Sequence, residues 1–165
     1  MLAKSTMDEP THTHEIRSFR LTDAAREKLI AAFVPVLADD ESVLFATLYG
    51  SSVEGEGERV IRDLDVALYL SEPALAQAWR AEGRLGGALE EKARDILGDM
   101  VPVDVRSYNE APLHAQFRAL IGRLLFLRDT DAFARVVEYV VPRYLDMELL
   151  RGQAVQDLLA GRSRA

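Results

Sequence analysis

Apolar and polar residues follow two rhythms along this chain, one of about three and a half residues and one of two, and their succession predicts the elements. From Thr22, whose side chain suits a helix N-cap, "DAAREKLIAAFVPVLADD" repeats apolar residues at helical spacing, with Pro35 as the point where the helix kinks or shortens. "SVLFATLY" is a short apolar run stopped by Gly50, as expected of a buried strand. The polar "SSVEGEGERVIR" after it carries Gly55 and Gly57 and reads as turn and loop, with a short helix beginning at Ser51 or Ser52. In "DLDVALYL" the period is two, with Leu64, Val66, Leu68 and Leu70 on one side and Asp63, Asp65, Ala67 and Tyr69 on the other.

Helical spacing returns in "EPALAQAWRAEG" and in "LGGALEEKARDILG", the second closed by Gly98. "MVPVDVRSY" alternates again, Val101, Val103 and Val105 against Pro102, Asp104 and Arg106, and its proline predicts an edge position or a strand start. A helix from about Pro112, a short strand "RLLFLRD" after Gly122 and a long helix from about Thr130 through Leu150 complete the pattern. Strands separated by helices predict an α/β (α+β) domain with a small mixed sheet of about four strands covered by helices.

The 165 residues and 48% hydrophobic content support one domain with a real core. The expected division is a flexible polar arm over residues 1–20, the domain over 21–150, and the end of the C-terminal helix with its tail over 151–165. A net charge of −7 disfavours a long nucleic acid as partner, since backbone tracking draws on clustered Lys and Arg. With no cysteine, disulfides and thiolate metal sites are excluded. No apolar run approaches the roughly 18 residues needed to cross a bilayer, and the N-terminus is too polar for a secretory segment, so a cytoplasmic protein without a membrane role is expected.

The chemistry lies where a strand opens with Asp-Leu-Asp. Asp63 and Asp65 point to one face, where two like charges repel unless a positive charge sits between them. If the "VPVDV" strand lies beside this one, Asp104 joins them. Oxygen donors without Cys or nearby His favour a hard cation, and Mg²⁺ takes one or two carboxylates and completes its shell with water and phosphate. Phosphoryl or nucleotidyl transfer is the matching reaction. At the Gly50–Ser51 turn, freed backbone N–H groups and a hydroxyl form a cradle for phosphate.

On these residues the chain resembles the nucleotidyltransferase superfamily, whose signature is a Gly-Ser turn, an Asp-x-Asp strand and a third acid on a later strand. More narrowly it is similar to the minimal nucleotidyltransferase (MNT) antitoxins, the MntA-like partners of HEPN-domain toxins, over about residues 44–150, including "VPVDVRSYNEAPLHAQFRALIGRLLFLRD" and "VVPRYLDMELL". The resemblance implies that Gly50 and Ser51 hold the triphosphate of ATP, that Asp63 and Asp65 ligate two Mg²⁺ ions, and that Asp104 completes the acidic set and helps activate the accepting hydroxyl. It further implies transfer of AMP from ATP to a tyrosine hydroxyl of a HEPN toxin, an RNase silenced by the modification. Eleven residues separate Ser51 from Asp63, one more than the usual pattern. This reads as an insertion within 52–62 that keeps Gly50 beside the motif serine, with Ser52 as the alternative serine. Arg62 stands where the family often has Ser or Thr, and pairs with phosphate or shields the acids. Two rival readings stand beside this one: a catalytically silent antitoxin that masks its toxin by binding, and a small-molecule nucleotidyltransferase of the aminoglycoside-modifying kind.

Other residues receive plainer readings. His12 and His14 belong to the polar arm, and His114 to a helix surface or cap. Arg118, Arg123 and Arg128 read as solvated charges, with contact to phosphate or a partner as the alternative. Trp79 and the tyrosines read as core or interface aromatics. The long last helix carries more apolar surface than a lone exterior helix needs, which points to an oligomer or complex through it.

Overall fold

The computed structural model describes residues 17–162; His12 and His14 lie outside the described residues. Twelve elements follow in order: β1 (Phe19–Leu21), α1 (Asp23–Asp39), β2 (Val43–Tyr49), a 3₁₀ turn (Gly50–Ser52), β3 (Arg59–Ile61), β4 (Leu64–Leu70), α2 (Glu72–Leu75), α3 (Ala78–Leu97), β5 (Val103–Ser107), α4 (Leu113–Leu120), β6 (Arg123–Leu127) and α5 (Thr130–Arg162). Four strands form a mixed sheet in the order β5-β4-β2-β6, in which β5 runs parallel to β4 and the other pairs are antiparallel.

Alternation along these strands sorts their side chains into two layers. Ala46, Leu48, Leu64, Val66, Leu68, Val103 and Val105 meet Leu29, Phe33 and Leu37 of α1 and Ala81, Leu85, Leu89 and Ala93 of α3 in one apolar cluster. The opposite layer starts with Phe45, which stacks on Tyr69 at 4.1 Å and meets the edge of Phe133 at 5.1 Å, so the first turn of α5 is pinned to the sheet. Thr22 caps α1 by accepting the Ala25 N–H at 3.2 Å. Among the described residues no helix is long and apolar enough to cross a membrane.

Several elements differ from the sequence pattern. The polar arm expected to run to about residue 20 gives way at Phe19 to a strand, and Phe19–Leu21 pairs antiparallel with Arg59–Ile61 of the supposed loop. Three residues per strand are too few for a period to register, and the pairing is made across the start of α1. The two helices expected around Gly83 are divided instead at Gln77, and α3 runs unbroken through Gly83, Gly86 and Gly87. Glycine weakens a helix interior without ending it. Here Glu90 and Glu82 of α3 accept the outward N–H groups of Val103 (3.2 Å) and Ser107 (2.8 Å). These contacts cover the free edge of β5. Finally, α1 continues four residues past Pro35, while α5 ends at Arg162, within the stretch expected to hold the helix end and tail.

Candidate active site

β2 ends at Tyr49 and the chain turns at once through Gly50–Ser52. Gly50 has φ +73°, and a Cβ there would lie 2.5 Å from Oδ2 of Asp65. Glycine is therefore required twice, by the left-handed backbone and by the carboxylate pressed against it. Ser52 is buried and its hydroxyl donates to the Tyr49 carbonyl at 3.1 Å, closing the turn, whereas Ser51 is exposed. The glycine-bearing loop beyond is tied down by Arg59, which donates to the carbonyls of Gly55 (2.6 Å) and Ser51 (3.5 Å), and by Asp23, which accepts the Gly57 N–H at 2.9 Å.

Asp63 sits immediately before β4 rather than inside it, and Asp65 is the second residue of that strand. The sheet register places Tyr49 opposite Asp65 and Asp65 opposite Asp104, so the three stand in one row across β2, β4 and β5, about 4.8 Å from strand to strand. Asp63 and Asp65 are half-buried, and the Asp104 side chain is 48% exposed. Burial pushes the Asp65 carboxyl up to about 6, the negative charges of Asp63 and Asp104 push in the same direction, and Arg118 pulls it down. The row thus carries more negative charge than its surroundings neutralise.

Among the described residues no three acidic or imidazole side chains are already gathered as a metal cage. Asp104 lines up with Asp65 in register but accepts from Nε of Arg106 at 2.8 Å. The donor set still fits Mg²⁺, because that ion is held by one or two carboxylates together with substrate phosphates rather than by an all-protein cage. Asp63 and Asp65, mutually repelling and beside a glycine turn, have that chemistry.

Two tyrosines that periodicity did not single out join here, Tyr49 in the row and Tyr108 just past the end of β5. The hydroxyls of Tyr49 and Tyr108 hydrogen-bond to each other, with the rings edge-on at 5.4 Å. Burial, the bond to Tyr108 and the charges of Asp65 and Asp104 hold the Tyr49 phenol well above its ordinary range, so it stays protonated. The available signal was parity: Tyr49 adjoins Gly50, and Tyr108 is four residues beyond Asp104 on the same side of the chain.

The remaining residues of interest separate clearly. Arg62 is exposed and makes no side-chain hydrogen bond or ion pair among the described residues. Arg128 donates to the carbonyls of Ala38 (2.7 Å), Val43 (3.0 Å) and Asp40 (3.3 Å), which makes it a clamp between α1 and β2 rather than a solvated charge. Arg123 pairs with Glu27 at 3.0 Å, and Arg118 with Glu54 at 3.6 Å. His114 is exposed on α4. Trp79 is 66% exposed and lies outside the core.

Comparison with known proteins bears on the fold and the family. No curated protein sequence matches the chain. Among solved structures, one described as a toxin–antitoxin with AMP-PNP aligns with TM-score 0.53 at 17% identity, covering 81% of this chain and 98% of that one. A mutant MntA toxin–antitoxin structure aligns with TM-score 0.51 at 17% identity over the same shares. A tri-AMPylated Shewanella oneidensis HEPN toxin in complex with an MNT antitoxin aligns with TM-score 0.50 at 16% identity, again over 81% and 98%. At these identities the likeness is one of fold. The family model for the polymerase beta nucleotidyltransferases matches residues 32–131, a span that includes Gly50, Asp63, Asp65 and Asp104, and the chain belongs to that nucleotidyltransferase family.

Proposed function

We propose that this protein is a Mg²⁺-dependent adenylyltransferase that moves AMP from ATP to a tyrosine hydroxyl of a HEPN-type toxin, and so acts as that toxin's antitoxin. The observation that carries the reading is the row Tyr49, Asp65, Asp104 across three strands with Gly50 against Asp65. It brings an acidic, partly buried patch and a backbone turn suited to phosphate within reach of one small ligand. The identity of the acceptor rests on what the structurally similar complexes are described as containing.

In this reading residues 21–150 are the working unit. Gly50 and Ser51 hold the triphosphate through backbone N–H groups and a hydroxyl, with Ser52 keeping the turn closed and Arg62 beside the incoming phosphates. Asp63 and Asp65, with Asp104, hold two Mg²⁺ ions; when bound, these offset the repulsion between carboxylates and phosphates. The acceptor oxygen attacks the α-phosphorus, and its proton passes to Asp104. The bond from that phosphorus to the oxygen bridging to the β-phosphate breaks, and pyrophosphate leaves with the electron pair. AMP remains as an ester on the acceptor. Leu145, Leu149, Leu150 and Leu158 of α5, all exposed, supply apolar surface for the partner.

The test is incubation with Mg²⁺, α-labelled ATP and the product of the neighbouring toxin gene. Label should appear on the toxin and be lost in Asp63→Asn/Asp65→Asn. Equal labelling by the double variant contradicts the site assignment. Rescue of growth by the double variant at the wild-type level would favour a silent antitoxin instead.

A further inference from the structure

Two arginines near the Gly50–Ser52 turn are tied to fixed structure, Arg59 to two carbonyls of the loop and Arg26 to Asp23 at 2.7 Å within α1. Arg118 is held differently. Its partner is Glu54, two residues after the turn, at 3.6 Å, and the side chains are 62% and 70% exposed. Such exposed pairs hold weakly and are easily exchanged.

The base of Arg118 is fixed even though its head is loosely held. Gly122, just after α4, has no room for a side chain, since a Cβ would strike the Leu48 carbonyl and approach Cβ of Tyr49 to 2.9 Å. The exit of α4 therefore rests on the last residues of β2, directly before Gly50. On the other side Phe117 stacks on Tyr144 of α5 at 3.9 Å with the rings 8° apart. Arg118, in the last turn of α4, is thus anchored beside the phosphate turn with Glu54 as its ion partner.

We propose that Arg118 grips the outer phosphates of the nucleotide, and that Glu54 occupies it until the nucleotide enters, so that the Arg118–Glu54 pair is an exchangeable latch over the Gly50–Ser52 turn. This deepens the nucleotidyl-transfer reading and rests on it. A triphosphate carries several negative charges and offers the guanidinium a bidentate partner, whereas Glu54 offers a single exposed contact. In a chain of net charge −7 the phosphates also need a local cation that the acidic row does not provide.

The experiment is calorimetric titration of the full chain with Mg²⁺ and the ATP analogue AMP-PNP, and separately with AMP, for wild type, Arg118→Ala, Arg118→Lys and Glu54→Gln, with Tm recorded for each. Arg118→Ala should weaken AMP-PNP about tenfold or more and leave AMP unchanged, while Arg118→Lys keeps part of the affinity. Glu54→Gln should tighten AMP-PNP about twofold to threefold, because a competing charge is gone. AMP-PNP binding by Arg118→Ala within twofold of wild type, or weakening by Glu54→Gln as large as that of Arg118→Ala, overturns the latch. Wild-type protein that binds no AMP-PNP overturns the nucleotidyl-transfer reading and the latch together, whereas wild-type binding with an indifferent Arg118→Ala overturns the latch alone.

Discussion

The two layers of the central sheet are made from alternate residues of the same strands, yet they differ in kind: Leu48, Leu64, Val66 and Val103 vanish beneath α1 and α3, while Tyr49, Asp65 and Asp104 form a polar row at one end of the other side. A one-residue parity separates them. The apolar layer gains its stability from burial and tolerates no charge. The acidic row is held in place by that layer at a cost, since burial and like charge both work against an ionised Asp65. Stability is made on one face and strain is kept on the other, as expected of a functional site on a rigid support.

This contrast can be broken from either side. The largest expected effect is Asp63→Asn/Asp65→Asn, which should lower transfer by about a thousandfold, in the upper range seen when transition-state stabilisation is removed, with an intact fold by circular dichroism. Next is the opposite layer. Phe33, fully buried under the sheet, should cost about 3–5 kcal/mol when replaced by Ala, read as a lower denaturation midpoint, with activity per folded molecule retained. Gly50→Ala belongs to both sides. Its positive φ and the 2.5 Å approach to Asp65 predict a loss of about 1–3 kcal/mol, accompanied by loss of transfer.

The smallest effect has the opposite sign. The Asp65 carboxyl is raised from 3.8 to about 6 in the fold, so between those values the folded state binds more protons than the unfolded one. Its favourable contribution is complete below about pH 3.8 and is lost as pH rises through 6. Asp65→Asn should therefore raise stability at neutral pH by about 1 kcal/mol, discounted for its partial exposure, and flatten denaturation midpoints between pH 4 and 6. A midpoint that falls instead would mean that Asp65 supports the fold.

Much of this arrangement was legible in the chain. The period of two in β2, β4 and β5 separates Leu64, Val66 and Leu68 from Asp65, and the proline before β5 marks an edge strand, which is where it lies. The alignment of Asp104 with Asp65 follows once β5 is set beside β4. What stayed hidden depends on contacts between distant segments. β1 and β3 stabilise each other over three residues apiece. The Tyr49–Tyr108 bond spans 59 residues. Arg118 reaches the turn because Gly122 lets α4 settle on β2, and nothing in its local sequence announces that. The last turns of α5, which end at Arg162 within the stretch expected to hold the helix end and tail, keep helical spacing in Ala154, Val155, Leu158 and Leu159.

The central claim, that the acidic row and the glycine turn together form a nucleotide and metal site, is tested most directly by thermal unfolding of the full chain with and without Mg²⁺ and AMP-PNP. A ligand bound only by the folded state must raise the midpoint. Wild type should rise with the pair added together, and Asp63→Asn/Asp65→Asn should not move. Equal shifts in both proteins, or none in wild type at saturating ligand, would contradict the account.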